Sequence, residues 1–245
     1  MSIFAGVETL TIADEYFETR PTLRTEIQSL ERKRGLSLLS KLRAEHDAIN
    51  FFSALAEIRT GLFFDPLCSE LRPNAPVDRK RPDWSFTMNG QRVICEVLRL
   101  NTPEEEARAS IEHSREMRKW QLENPGVPIL EYHQPVTIDT AYFCGGQSKL
   151  QFKEEKYRSI IENHQLPFII CVNPSIETFI NEIDVNDFLM GRYGFYSTDP
   201  NFGRNVAGIL LHGYYNGHWV YFPNEKAQFP LDEGNKQLIR QRCMG

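Results

Sequence analysis

A chain of 245 residues with 41% hydrophobic and 25% charged residues can bury a sizeable core as one large domain or one domain with insertions. A formal net charge of −5 excludes a uniformly basic nucleic-acid binder, so any phosphate contact needs a local basic patch. No signal-peptide series opens the chain and no apolar run approaches a membrane span, so a cytoplasmic protein with no membrane partner is expected.

Two helices are predicted first, "TLRTEIQSLERKRG" and "LSLLSKLRAEHDAINFFSALAEIRTG", each closed by a glycine. The second carries Phe52, Leu55, Ala56 and Arg59 along one side, with Glu57 near its end. "LFFDPLCSELRP" reads as an irregular strand broken by Pro66, and "NAPVDRKRP" as a polar loop. A hairpin follows, turning at Asn89-Gly90, with Asp83 opening its first strand and Glu96 deep in its second. "TPEEEARASIEHSREMRKWQLEN" predicts a helix, "VTIDTAYF" a strand, "GGQSKLQFKEEKYRSIIENHQ" another helix, and "LPFIICVNP" a strand apolar on both faces. A short helix at "SIETFINEI" and strands at "VAGILLHGYY" and "HWVYF" complete the chain. The order α-β-β-β-insertion-α-β predicts a single α/β domain over 1–245 with a mixed central sheet. Within it, 1–44 form an N-terminal helical extension, 101–148 an α/β insertion and 174–245 the C-terminal strands.

The five cysteines form no CxxC pair, and three lie in apolar strand-like runs, so buried free thiols are expected rather than a zinc site. His212 and His218 flank the last hairpin as a surface or structural pair. Trp120, Tyr142, Phe143, Tyr214 and Tyr215 read as core or interface residues rather than base-stacking platforms.

The chemistry gathers at the hairpin. Residues two apart in a strand share a face, so Glu96 and Leu98 point one way while Val97 and Arg99 point the other. Asp83 lies across the hairpin, where its carboxylate converges with that of Glu96. Clustered carboxylates repel unless a cation sits between them, and hard oxygen ligands suit Mg²⁺ or Mn²⁺. Such a metal polarises a phosphodiester and lowers the pKa of a bound water. A plainer reading stands beside each residue: Asp83 as a turn residue after Pro82, Glu96 as an edge residue facing water, Glu57 as a solvated helix residue.

"RPD" followed by Glu96 in "VICEV", with "ALAEIRTG" upstream and "KEEKYRSIIENHQLPFIICV" downstream, resembles the PD-(D/E)xK nuclease superfamily. The resemblance spans about residues 45–100 and 149–173. It implies a restriction-endonuclease-like αβββαβ core and metal-dependent cleavage of nucleic acid, DNA foremost, in a bacterial or phage defence setting. Carried across by position, Asp83 and Glu96 are the main metal ligands and Glu57 the helix glutamate near the metal. Leu98 stands where the family has its lysine. Some members have moved that lysine to the following core helix, which here offers Lys149, Lys153 and Lys156. The last two share one helical face, Lys153 being nearer the helix start. The bland alternative is a solvated face with ion pairs to Glu154 and Glu155. Arg79, Lys80 and Arg81, just before Asp83, would hold nucleic-acid phosphates. Double-strand cleavage by a small protein implies a homodimer, with "VTIDTAYF" and "GYYNGHWVYF" as interface material. The competing readings are a degenerate relative that binds or scaffolds without cleaving, and an unrelated α/β protein with structural carboxylates.

Overall fold

Helix caps and apolar spacing shape the N-terminal region of the computed structural model, which describes residues 11–100, 148–174, 182–191, 194–196, 203–212 and 218–245, with scattered positions in 112–125. The chain divides into two compact units, Met1–Ile58 with Pro103–Glu131, and Arg59–Thr102 with Tyr132–Gly245. In the first, α1 (Ile12–Glu18) starts at Thr11, whose hydroxyl accepts the Asp14 N–H at 3.2 Å. Helix α2 (Pro21–Arg34) has proline in its first turn, three basic residues in its last, and Gly35 in the left-handed conformation as its stop. Ile27, Leu30 and Leu42 are buried, and Tyr16 meets Phe51 edge-on at 5.4 Å.

The single helix expected after Gly35 is two, α3 (Leu38–Arg43) and α4 (Ala48–Phe64). Asp47 causes the break: its carboxylate accepts the Asn50 N–H at 2.8 Å and so caps a new helix. Gly61 does not end α4. A Cβ there would lie 2.3 Å from the Trp84 indole, so this glycine admits the ring against the helix. The expected irregular strand over 62–73 is accordingly the end of α4, a 3-10 turn (Asp65–Leu67) and a short β1 (Glu70–Pro73).

The second unit is α/β, built on a six-stranded mixed sheet in the order β1-β2-β3-β4-β5-β6. Strand β2 (Trp84–Met88) pairs antiparallel with β1 and with β3 (Gln91–Leu100), across Asn89 and Gly90 at φ 45° and 81°. Both positive angles suit a tight type I′ turn. Strands β3, β4 (Phe168–Pro174) and β5 (Gly208–His212) run parallel, and β6 (Trp219–Pro223) closes the sheet antiparallel to β5. Between β3 and β4 the chain passes through α5 (Lys149–His164), capped by the Ser148 hydroxyl on Gln151 N–H and stopped by left-handed Gln165. Helix α6 (Glu182–Met190) precedes β5.

One sheet face, with Ile94, Leu98, Ile170, Val172, Ile209 and Leu211, forms a core with Leu150, Tyr157, Ile160 and Ile161 of α5 and Val185 and Leu189 of α6. The other face meets the end of α4, where Phe64 stacks on Phe86 at 4.4 Å and the Thr60 hydroxyl donates to Cys171 Sγ at 3.1 Å. Cys95 and Cys171 are buried free thiols, Cys68 and Cys243 partly exposed ones. Helix α7 (Glu233–Met244), which the apolar spacing does not announce, is tied to the hairpin turn. Asn235 Nδ2 donates to Met88 O at 3.1 Å and to Gln91 Oε1 at 2.9 Å, and its Oδ1 accepts from Asn89 at 3.0 Å.

The expected strand at 136–143, most of the helix at 102–124 and residues 175–181 lie outside the described residues. Of the aromatic segment expected at an interface, Tyr221 and Phe222 are buried in the chain's own core. Among the described residues, no helix is long and apolar enough to cross a membrane.

Candidate active site

Strand β3 presents an unusual pattern on the face under α5: Ile94 and Leu98 are apolar and buried, and Glu96 between them is a carboxylate only 2% exposed. Its neighbour across the parallel ladder is Ile170, fully buried. A charge in such surroundings is costly unless paired. The partners come from α5. Leu150, Tyr157, Ile160 and Ile161 fix one side of that helix to the sheet, which aims the adjoining Lys153 and Lys156 at the strand. Their ammonium groups donate to the same oxygen, Glu96 Oε1, at 2.7 and 2.8 Å. Lys153 is 26% exposed and Lys156 48%, so the second reaches the carboxylate from the solvent side. Burial pushes the Glu96 carboxyl up, but the Lys153 charge and the hydrogen bonds from both lysines outweigh it and hold the group below its usual range. Among the described residues, Glu96 Oε2 is buried without a close hydrogen-bond partner, while the Tyr157 hydroxyl also helps hold the carboxyl down.

Asp83 sits in the bend immediately before β2. Trp84 pairs with Cys95, so one further step of the register sets Asp83 opposite Glu96. Asp83 Oδ2 accepts the Val97 N–H at 2.7 Å, which extends the ladder past the end of β2 and holds the carboxylate beside β3. Tyr157 borders both acids. Its hydroxyl donates to Arg81 O at 3.0 Å, and burial together with the negative charges of Glu96 and Asp83 pushes its pKa well up. The Lys156 ammonium lies 4.7 Å from the centre of the Tyr157 ring. Nothing in the sequence marks Tyr157 except its place in "KEEKY", four residues after Lys153, where it reads as core.

The structure thus brings Asp83, Glu96, Lys153 and Lys156 together. Glu57 belongs to the first unit, where it forms an ion pair with Lys41 at 2.5 Å. Leu98 is part of the apolar core under α5. Arg79 and Arg81 are exposed and Lys80 half-buried, on a turn closed by reciprocal Val77–Lys80 backbone bonds at 2.9 and 3.0 Å. Val77 anchors that turn in the core, and Asp78 pairs with His164 at 2.9 Å.

Two further titratable groups, Glu154 and His212, are buried. Glu154 does not join a solvated charged face: it is buried, and its Oε1 accepts the backbone and side-chain N–H groups of Asn205 at 3.2 and 3.1 Å. Burial pushes its pKa up to about 7, against the lowering effect of Asn205 and of nearby Arg158. Among the described residues, Glu154 Oε2 and Asn205 Oδ1 are both buried without partners. Of the surface and structural readings of His212, the structure bears out the structural one. It is buried against Trp219, its Nδ1 is 3.2 Å from Asn173 Nδ2, and burial with the Arg59 charge lowers its pKa to about 3, leaving it neutral. Among the described residues, no three His, Cys, Asp or Glu side chains form a group that could hold a metal.

No protein-family model matches the chain, and neither the curated proteins nor the solved structures give a match.

Proposed function

We propose that this chain is a metal-dependent nuclease of the PD-(D/E)xK type, hydrolysing phosphodiester bonds in DNA. The observation that carries the reading is the buried Glu96 carboxylate, set opposite Asp83 and clasped through one oxygen by two lysines of the next helix. A carboxylate kept ionised in an apolar strand beside a second acid fits a divalent cation site better than a stabilising ion pair. Asp83 and Glu96 would hold Mg²⁺ or Mn²⁺. Two protein carboxylates leave the other positions to water and phosphate, as suits Mg²⁺. When bound, the ion supplies Lewis-acid polarisation of the phosphodiester and a more acidic water.

The protein's own groups do the remainder. Lys156, the more exposed lysine, faces the incoming phosphate and offsets the negative charge that grows on its oxygens. Lys153 keeps Glu96 ionised and in place. The pair stands in for the lysine absent at Leu98. Arg79, Lys80 and Arg81, on the anchored turn leading into Asp83, position the backbone of the nucleic acid. The αβββαβ order of α4, β1, β2, β3, α5 and β4 agrees with this assignment. A binding module that has ceased to cleave is the second reading, favoured by the closure of both lysines onto Glu96 and by the apolar burial of Leu98.

The deciding experiment incubates the protein with plasmid, linear duplex and single-stranded DNA, with Mg²⁺, with Mn²⁺ and with chelator. Cleavage that needs the ion and is abolished in Asp83→Ala and Glu96→Ala, both still folded, is the expected result. A pure wild-type protein that leaves all three substrates intact with either ion sinks the nuclease reading.

A further inference from the structure

Helix α5 carries an aromatic side chain that its own packing does not use. Phe152 is 58% exposed, although Leu150, Tyr157, Ile160 and Ile161 of the same helix are buried. Lysines flank it on one side, and the exposed Glu155, three residues on, flanks it on the other. Lys149, Phe152, Lys153 and Lys156 follow the i, i+3, i+4, i+7 spacing, which sets them on one face of the helix. Two of those lysines are the pair on Glu96, so the ring stands beside the candidate site.

An apolar partner surface would cover Phe152 only by also desolvating the ammonium groups around it, which disfavours an ordinary hydrophobic contact. The complementary ligand is one that offers a flat apolar face and negative charge within a few ångströms of each other. A nucleotide has that combination, and an aromatic ring interleaved with lysines is how sequence-tolerant single-strand binding is built. Duplex bases are already stacked on their neighbours and present no free face. We propose that Phe152 is a stacking platform for an unpaired base next to the scissile phosphate, with Lys149 on a flanking phosphate and Lys156 on the scissile one, so that single-stranded DNA is the substrate form. This rests on the nuclease reading of the same site only for the word substrate; the stacking contact itself needs no metal and no cleavage.

The test measures binding of a fluorescently labelled thymine oligonucleotide and of a duplex of equal length, in chelator, to wild type and to Phe152→Ala, Phe152→Leu and Phe152→Trp. The side chain is exposed, so all variants should fold, as urea midpoints equal to wild type will show. Losing one base–aromatic stack weakens binding by about 10-fold. Phe152→Ala and Phe152→Leu should weaken single-strand binding by about that factor and leave duplex binding nearly unchanged, while Phe152→Trp should keep or tighten it. Equal single-strand affinity in wild type and Phe152→Ala overturns the proposal. So does a Phe152→Ala protein whose only change is a halved mass in light scattering, which would make the ring a subunit contact. A wild type that binds single strands through Phe152 yet never cleaves with Mg²⁺ or Mn²⁺ supports the stacking platform and removes the nuclease reading. A wild type that cleaves, with Phe152→Ala indistinguishable from it in binding, does the reverse.

Discussion

Replacing Glu154 by glutamine should stabilise the protein in alkaline solution and do little in acid. Its carboxyl is buried, meets Asn205 from the loop before β5, and has a pKa raised from 4.5 to about 7 by burial. Between those values the folded state holds a proton that the unfolded chain has released. Stability therefore falls as pH rises through this window, and the favourable contribution is whole only below 4.5. At ~1.4 kcal/mol per pH unit, the full span amounts to about 3 kcal/mol. Glutamine keeps the shape and the acceptor oxygen that Asn205 uses. It is neutral at every pH, so it has no charge to desolvate. Urea titrations at pH 5 and pH 8.5 read the effect as a midpoint shift at constant slope. The variant should match wild type at pH 5 and exceed it by about 1–3 kcal/mol at pH 8.5. Equal shifts at both pH values would refute the reasoning. So would a variant weaker than wild type at pH 8.5, since Glu154 would then be an ionised group held by Asn205.

The remaining expectations concern the site and the helix beneath the sheet. Lys153→Ala and Lys156→Ala should each slow metal-dependent cleavage by about 10²-fold in single-turnover assays, while Mg²⁺ or Mn²⁺ binding by calorimetry persists; wild-type rates in both would remove the lysines from the chemistry. The Glu96 carboxyl is held below its ordinary 4.5, so the stability it contributes is present above that value and is lost as pH falls through the lowered one. Glu96→Gln should flatten that acid limb of the stability curve, and an unchanged limb would mean that the lysines do not hold the charge. Gly61→Ala should cost about 1–3 kcal/mol in urea unfolding by pushing the Trp84 ring out of its seat on α4, with a shift in tryptophan emission; a neutral substitution would show that the ring has room to move.

What could be seen in the sequence was whatever rests on local chemistry. Asn89-Gly90 demands a tight turn, and that turn alone sets the register placing Asp83 opposite Glu96. The three-residue spacing of Lys153 and Lys156 directs both to one side before any tertiary contact is known. Features that depend on distant partners were hidden. Gly61 looks like a stop signal until Trp84 is packed against it. Glu154 looks like one more charge on a polar helix until Asn205 arrives from another segment. Asp47 was readable in principle, since aspartate before a new apolar run is a cap signature, but the flanking helical periodicity conceals the break. Tyr157 is indistinguishable by spacing from its core neighbours, because it is one of them; only its hydroxyl reaches the two acids.

The hydrogen bonds from Asn235 to the hairpin turn bear on the order in which the protein is made. Asn235 lies 144 residues beyond Gln91 and 146 beyond Asn89, the residues it grips. The hairpin can form locally and early, as a short-range pairing, long before this segment leaves the ribosome. Its turn is locked only when α7 folds back over it. A nascent chain therefore carries its paired acids on an unclamped hairpin until α7 has been made, and any reactive geometry that depends on the clamp arrives with that helix.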